Sequence, residues 1–287
     1  LDQESGHHRW IWVLGLVVGL WLGGWAHPAA AWAGSLVDRV TAFPYWTSKP
    51  PTQPAKGDLH YPDWMAGTWQ ATSELLELSA PLAPEIVTPG FESNRSLLGQ
   101  PMDFTVRFEP QRLAPALSAF PLRSRPTTDQ RAIVADRAFN GLNIAAAYLG
   151  RDAITGIVAD PGDPNHQTLQ LSGRRELRSE VTGRTSERPA ANRFVATETS
   201  IQSFGGGPAP TGRSLYRNLV ETTTDYRLRE GDRVTADQFT AIYLLPPDRY
   251  ASVARDRPVA LYHYRLTLQR PAPSSPAATE PPGDRRS

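Results

Sequence analysis

From residue 153 to residue 268 the chain alternates short β-forming segments with turns, and no other feature limits the fold as strongly. Ala153–Val158 and Gln167–Leu171 flank a turn at Pro161-Gly162-Asp163-Pro164-Asn165. Glu176–Glu187 alternates around Gly183, where a bulge is expected. Phe194–Phe204 puts Phe194 and Ala196 on one side and Val195, Thr197, Thr199 and Ile201 on the other. Gly205-Gly206-Gly207-Pro208 breaks it. Leu215–Arg229 and Arg233–Leu245 meet through Glu230-Gly231-Asp232, a hairpin signature, and Val259–Leu268 closes the series. The connections are too short for parallel crossovers. Successive antiparallel strands at hairpin spacing build an up-and-down barrel or a sandwich.

The N-terminal half adds fewer elements. Trp64–Leu78 and Met102–Phe108 read as strands, the second with Met102, Phe104, Val106 and Phe108 on one face. Residues 112–126 are irregular. Thr127–Leu149 reads as the one inserted helix, with Thr128 or Asp129 as its cap and Gly150 as its stop. The expectation is a mainly β domain of about eight or nine antiparallel strands with that single helix.

The ends of the chain carry other signals. His7-His8-Arg9 precedes an apolar run from Trp10 to Ala26, and Ala31-Trp32-Ala33 follows. A basic flank, an apolar core and small residues at −3 and −1 match a cleaved signal peptide over residues 1–33, with Gly34 as the first mature residue. An uncleaved membrane anchor is the alternative. Residues 34–58 read as an N-terminal segment, amphipathic through Leu36, Val37 and Val40, followed by a Pro-rich linker. Residues 59–270 form the β domain, and 271–287 a Pro-rich disordered tail.

Little in the sequence points to catalysis. Cysteine is absent, so disulfide-linked partners, thiolate metal sites and Cys nucleophiles are excluded. A net charge of +1 provides no field for nucleic acid. Arg174, Arg175, Arg178, Arg184 and Arg188 lack interleaved aromatic residues, so nucleic-acid binding is not expected. Beyond residue 33 the histidines are His60, His166 and His263, with no metal-ligand spacing. No phosphate-binding glycine loop or nucleophile elbow occurs. Glu176 with Glu180, and Glu221 with Asp225, read as solvated strand faces. No cofactor and no metal are expected. Asn94-Arg95-Ser96 fits the N-glycosylation acceptor pattern.

Gly67-Thr68-Trp69 begins the first strand and resembles the G-x-W signature of lipocalins and related calycin barrels. The resemblance implies that Trp69 plugs one barrel end and that an Arg near the last strand covers it by a cation–π contact. Arg265 is the residue expected in that role. Thr224-Asp225-Tyr226 looks like the family's second signature, here within a strand instead of a loop. The early helix departs from the usual lipocalin order. Phe43-Pro44-Tyr45-Trp46, Tyr61 to Trp69 and Asp136-Arg137-Ala138-Phe139-Asn140 also resemble an uncharacterised family of cyanobacterial and chloroplast proteins. That likeness implies a thylakoid-lumen address and no reaction.

The expected function is therefore non-enzymatic: an exported calycin-like barrel in the thylakoid lumen or periplasm, holding a small apolar or amphipathic ligand such as a lipid or pigment. Leu82, Ile86, Val87 and Phe91, in the long loop 79–100, are candidates for its lid. Phe239 and Tyr243, with Leu219 or Val220, are expected on the inward stripe. If they fill the barrel, the alternative is an accessory or assembly factor docking on a membrane complex through its outer surface.

Overall fold

The computed structural model describes residues 35–88, 90–112, 131–160, 162–206 and 216–271. The signal-peptide reading, the Thr128 or Asp129 cap and the tail from residue 272 lie outside the described residues. Helix α1 (Leu36–Thr41) comes first, then strands β1 (Gln53–Pro54), β2 (Gly67–Ser79), β3 (Pro101–Arg112) and β4 (Arg131–Ala135). Helix α2 (Arg137–Leu149) leads to β5 (Ile154–Ala159), β6 (His166–Leu171), β7 (Arg175–Ala190), β8 (Arg193–Gly206), β9 (Tyr216–Arg229) and β10 (Arg233–Leu244). The short helix α3 (Ala251–Ala254) and strand β11 (Ala260–Gln269) complete the order.

Ten strands lie side by side in the order β4-β3-β2-β11-β10-β9-β8-β7-β6-β5, every neighbouring pair antiparallel, and β1 pairs with β7. The first and last long strands, β2 and β11, are neighbours, so the meander returns on itself. It curls into a half-barrel, and α2 packs against β3 and β5 near the two ends of the sheet. The strand-rich antiparallel fold agrees with the sequence reading. The register slip between Val181 and Gly183 falls where a bulge is expected. Gly231 and Asp232 both take positive φ in the β9–β10 hairpin, 70° and 52°, as a tight turn between twisted strands requires.

The strand count rises to eleven for two local reasons. Residues 131–135 are strand, not helix: the β-branched pair Ile133-Val134 lies in β4, and the Ile133 carbonyl accepts from the Tyr61 amide at 2.8 Å. The helix starts only at Arg137, capped by Asp136, whose carboxylate accepts from the Phe139 amide at 3.0 Å. Gly150 ends it, as expected. The second extra strand, β1, lies in the segment read as a linker. That segment is bound to β7: Gln53 pairs with Arg184, and the Thr185 hydroxyl donates to the Pro51 carbonyl at 2.9 Å.

Residues 35–54 form a strap across the outer face of the sheet. Ser35 and Asp38 close a capping box at the start of α1, and the Leu36 amide donates to the Glu187 carboxylate at 2.8 Å. Phe43 and Trp46 lie on Phe239, with ring centroids 4.8 and 6.2 Å away. Trp46, Phe239, Ala241, Tyr243 and Leu261 form a small outer core separate from the main one. Phe239 and Tyr243 therefore face outward beneath the strap, contrary to the inward position expected for them. Strand alternation then turns Gln238, Thr240 and Ile242 to the inside.

Candidate functional site

The inner face is apolar near Trp69 and polar across its middle. Trp69 is fully buried, and its Nε1–H donates to the Met65 carbonyl at 2.7 Å. The cation over its ring is Arg270, with the guanidinium 4.2 Å from the ring centroid and Nη1 donating to the Ala66 carbonyl at 2.9 Å. Gly67 has φ +108°, a backbone conformation that favours glycine as the first residue of the G-x-W segment, and its missing Cβ leaves room for the Arg270 guanidinium.

Arg265 does not take that role. It pairs across the sheet with Glu74 and Asp237, lies on the outer face and is more than half exposed. The cause is strand periodicity: Tyr264, Leu266 and Leu268 point inward, so only an even-numbered position near the end of β11 reaches Trp69. Gln269 pairs with Gln70, which sets Arg270 beside Trp69. Parity with the buried leucines of β11 was the sequence signal for Arg270.

Thr224-Asp225-Tyr226 lies in the middle of β9. Tyr226 is buried on the inner face, stacked on Phe194 at 6.2 Å and edge-on to Tyr61 at 6.1 Å. Asp225 is buried on the outer face, where Arg193 donates to it twice at 2.9 Å and Arg227 once at 2.6 Å. The Arg193 side chain is a bidentate clamp joining β8 to β9.

The candidate lid residues separate. Ile86 and Phe91 are buried in the main core, and Leu82 packs against it. Val87 is exposed. Phe91 lies 6.0 Å from the Tyr262 ring, and Asn94 Nδ2 donates to the Tyr262 hydroxyl at 3.1 Å. Asn94 is itself buried, so the glycosylation pattern falls on a side chain that holds the loop down.

Register places polar groups in rows across the inner face. Gln167, Ser179, Gln202 and Asn218 are consecutive partners on β6, β7, β8 and β9. Gln202 is 0% exposed and Asn218 1%. Gln167 Nε2, Ser179 Oγ, both amide atoms of Gln202 and Asn218 Oδ1 are shut off from solvent and have no hydrogen-bond partner. Nearer Trp69, Tyr264 pairs with Gln238, and Tyr262 pairs with Thr240. The Gln238 Oε1, Thr240 Oγ1 and Tyr264 hydroxyl are also unpartnered. Burial pushes the Tyr264 hydroxyl well above its ordinary pKa, so it is a neutral phenol.

The charges on the inner side are mutually paired. Arg184 donates to Glu198 at 2.8 Å, to Asn165 Oδ1 at 2.7 Å and to the Gly57 carbonyl at 2.7 Å. Arg137 donates to Asp58 at 2.8 Å. Both contacts to residues 57–58 tie the entry of the domain to the sheet. His60 lies among Asp58, Arg184 and Arg188, and burial lowers its pKa. His166 bonds Asp163 at 2.9 Å and His263 bonds Asp237 at 3.0 Å. Among the described residues no three His, Cys, Asp or Glu side chains gather as metal ligands, and no helix is long and apolar enough to cross a membrane.

These features define the class of the protein as a mainly β, curled antiparallel half-barrel, strapped on its outer face and carrying buried polar groups inside. Residues 53–272 match the model of a domain of unknown function, DUF6816, and the chain belongs to that family. Of the curated proteins and the solved structures compared with the chain, none matches it.

Proposed function

We propose that the protein is an exported, non-enzymatic binder that holds one small amphipathic ligand against the inner face of the half-barrel, in the thylakoid lumen or periplasm. One observation carries this reading: a row of buried amides and a hydroxyl with unused hydrogen-bonding atoms, set across the middle of the inner face. A buried polar atom without a partner costs about 1–3 kcal/mol. Several in one row need partners in the working protein, which ordered water or a bound polar group supplies. Val220, Ile242 and Leu244 adjoin the row on the same face and suit an apolar portion of that ligand. The G-x-W segment capped by Arg270 supports the calycin-like reading.

The apolar run 10–26 and Ala31-Trp32-Ala33 support export, with Gly34 as the first mature residue. Intact mass of the protein from its host tests this. A chain starting at Gly34 is expected, and a longer membrane-bound chain would show an anchor. Native mass spectrometry of the same material tests the binder reading. A stoichiometric small molecule released on unfolding is expected. An apo mass, with the protein instead co-purifying with a membrane complex, would replace the binder by an accessory factor acting through its outer surface.

A further inference from the structure

We infer that His263 is a pH-sensitive catch for the strap: with its imidazole charged, residues 42–46 close on the outer face, and with it neutral they open. The device belongs to the outer face and is independent of what the inner face holds.

The strap is fastened at both ends by groups that do not respond to pH near neutrality. At one end the Arg39 guanidinium bonds Glu221, and at the other β1 pairs with β7. Neither a guanidinium nor a backbone ladder changes charge there. Between them the anchor is Phe43. Its ring lies 4.8 Å from Phe239 and 5.8 Å from His263. The His263 ring stacks on Phe239 at 4.5 Å, with 18° between the planes. Histidine is the side chain whose charge changes between about pH 5 and 8. An imidazolium set against two aromatic rings is attracted to their π faces, and one of those rings belongs to the strap.

The surroundings favour the charged ring. On β10, Asp237 bonds His263 Nε2 at 3.0 Å. On β2, Glu77 pairs with His263 across the sheet. Two cations oppose them: Arg265 on β11, 3.9 Å from Asp237, and Arg227 on β9. Arg265 is more than half exposed and screened by solvent, and Arg227 bonds Asp225. The strap brings no carboxylate or cation between Ala42 and Trp46. The hydrogen bond from His263 holds the Asp237 carboxyl below the ordinary carboxylate range, and the carboxylate favours the charged imidazole in turn. Closing the strap shields this ion pair from water and so strengthens it. The His263 side chain stays 19% exposed, so the charge is not stranded in the core. A neutral ring keeps the stack but loses both the ion pair and the cation–π attraction. Phe43 is then held by apolar contact alone, and its release uncovers Phe239.

The test is hydrogen exchange on the full exported chain, read by mass spectrometry over residues 40–47 and expressed relative to the intrinsic rate at each pH. Protection is expected to be about fivefold higher at about pH 5 than at about pH 8, with β10 unchanged. His263→Gln keeps a donor for Asp237 without a titrating ring and should give one level of protection at both. Asp237→Asn should move the transition to lower pH, and His60→Gln should leave the response in place. Should His263→Gln not fold, the NMR titration of the His263 ring in the parent chain takes its place, with a midpoint that should coincide with that of strap opening. Equal protection at both pH values, a response that survives in His263→Gln, or two midpoints that differ would overturn the inference.

Discussion

The guanidinium of Arg39 grips the carboxylate of Glu221 through two hydrogen bonds of 2.5 Å, joining the strap to a strand 182 residues later in the chain. Glu221 is fully buried and also accepts from the Tyr243 hydroxyl at 2.6 Å and the Thr223 hydroxyl at 2.9 Å. Arg39 in turn lies 4.0 Å over the Trp46 ring. One side chain thus holds both the charge and the aromatic half of the strap.

Removing Arg39 leaves Glu221 buried without its counter-ion. Arg39→Met is expected to cost about 3–5 kcal/mol, and the double variant Arg39→Met/Glu221→Leu to recover most of that loss. Urea unfolding of the single and double variants reads the difference. A double variant as unstable as the single one would mean that the loss comes from Arg39's own packing on Trp46 and not from an unpaired Glu221.

The Trp69 end gives a second measurement. Trp69→Ala is expected to cost about 3–5 kcal/mol, and Arg270→Ala about 1–2 kcal/mol through lost packing and cation–π attraction. The two losses should be less than additive, because the residues touch. Arg265→Ala, on the exposed outer face, should stay within about 0.5 kcal/mol of the parent. A larger loss at position 265 than at 270 would contradict the observed register.

The loop 79–100 behaves as part of the core in this structure. Asn94→Ala removes the partner of the buried Tyr262 hydroxyl and should cost about 1–3 kcal/mol. Replacing residues 83–96 by a Gly-Ser turn removes Ile86 and Phe91 as well, so the thermal midpoint should drop further than for Asn94→Ala. A loop deletion that leaves the midpoint unchanged would show that the loop packs only loosely on the half-barrel.

Acidification should weaken the fold through His60. Burial lowers its pKa below the ordinary 6.5, with Arg184 and Arg188 acting in the same direction and Asp58 against them. Between its folded pKa and 6.5 the unfolded chain binds a proton that the folded chain does not. Stability from this residue is therefore full above that range and falls as pH drops through it. His60→Gln should flatten the pH dependence of the urea midpoint just below neutrality. Asp237 works lower down: the His263 hydrogen bond depresses its pKa, so its contribution is lost only as pH falls below the ordinary carboxylate value of 3.8.

Much of the strand layout can be read directly from local pattern. Alternation and turn residues locate β5 to β11 within a few residues, Gly183 marks the bulge, and Glu230-Gly231-Asp232 marks the hairpin. These depend on neighbours in the chain, so sequence alone determines them. The same is true of Trp69 at the start of β2, whose burial the G-x-W segment implies.

Tertiary structure decided what period-two alternation leaves open. On β10 it separates Phe239 and Tyr243 from Gln238 and Thr240 but does not say which set faces inward. The aromatic set would ordinarily be the core. Here the strap covers the outer face, so both faces are buried and hydrophobicity no longer distinguishes inside from outside. The polar rows of the inner face stayed hidden for that reason. The partner of Trp69 was decided by the β2–β11 register, which sets Arg270 rather than Arg265 beside it. Residues 131–135 became strand because they pair along their length with β3, and Tyr61, some seventy positions earlier, adds its amide to the Ile133 carbonyl. Each of these outcomes depends on segments that meet only in the folded chain, where a distant partner outweighs the local preference.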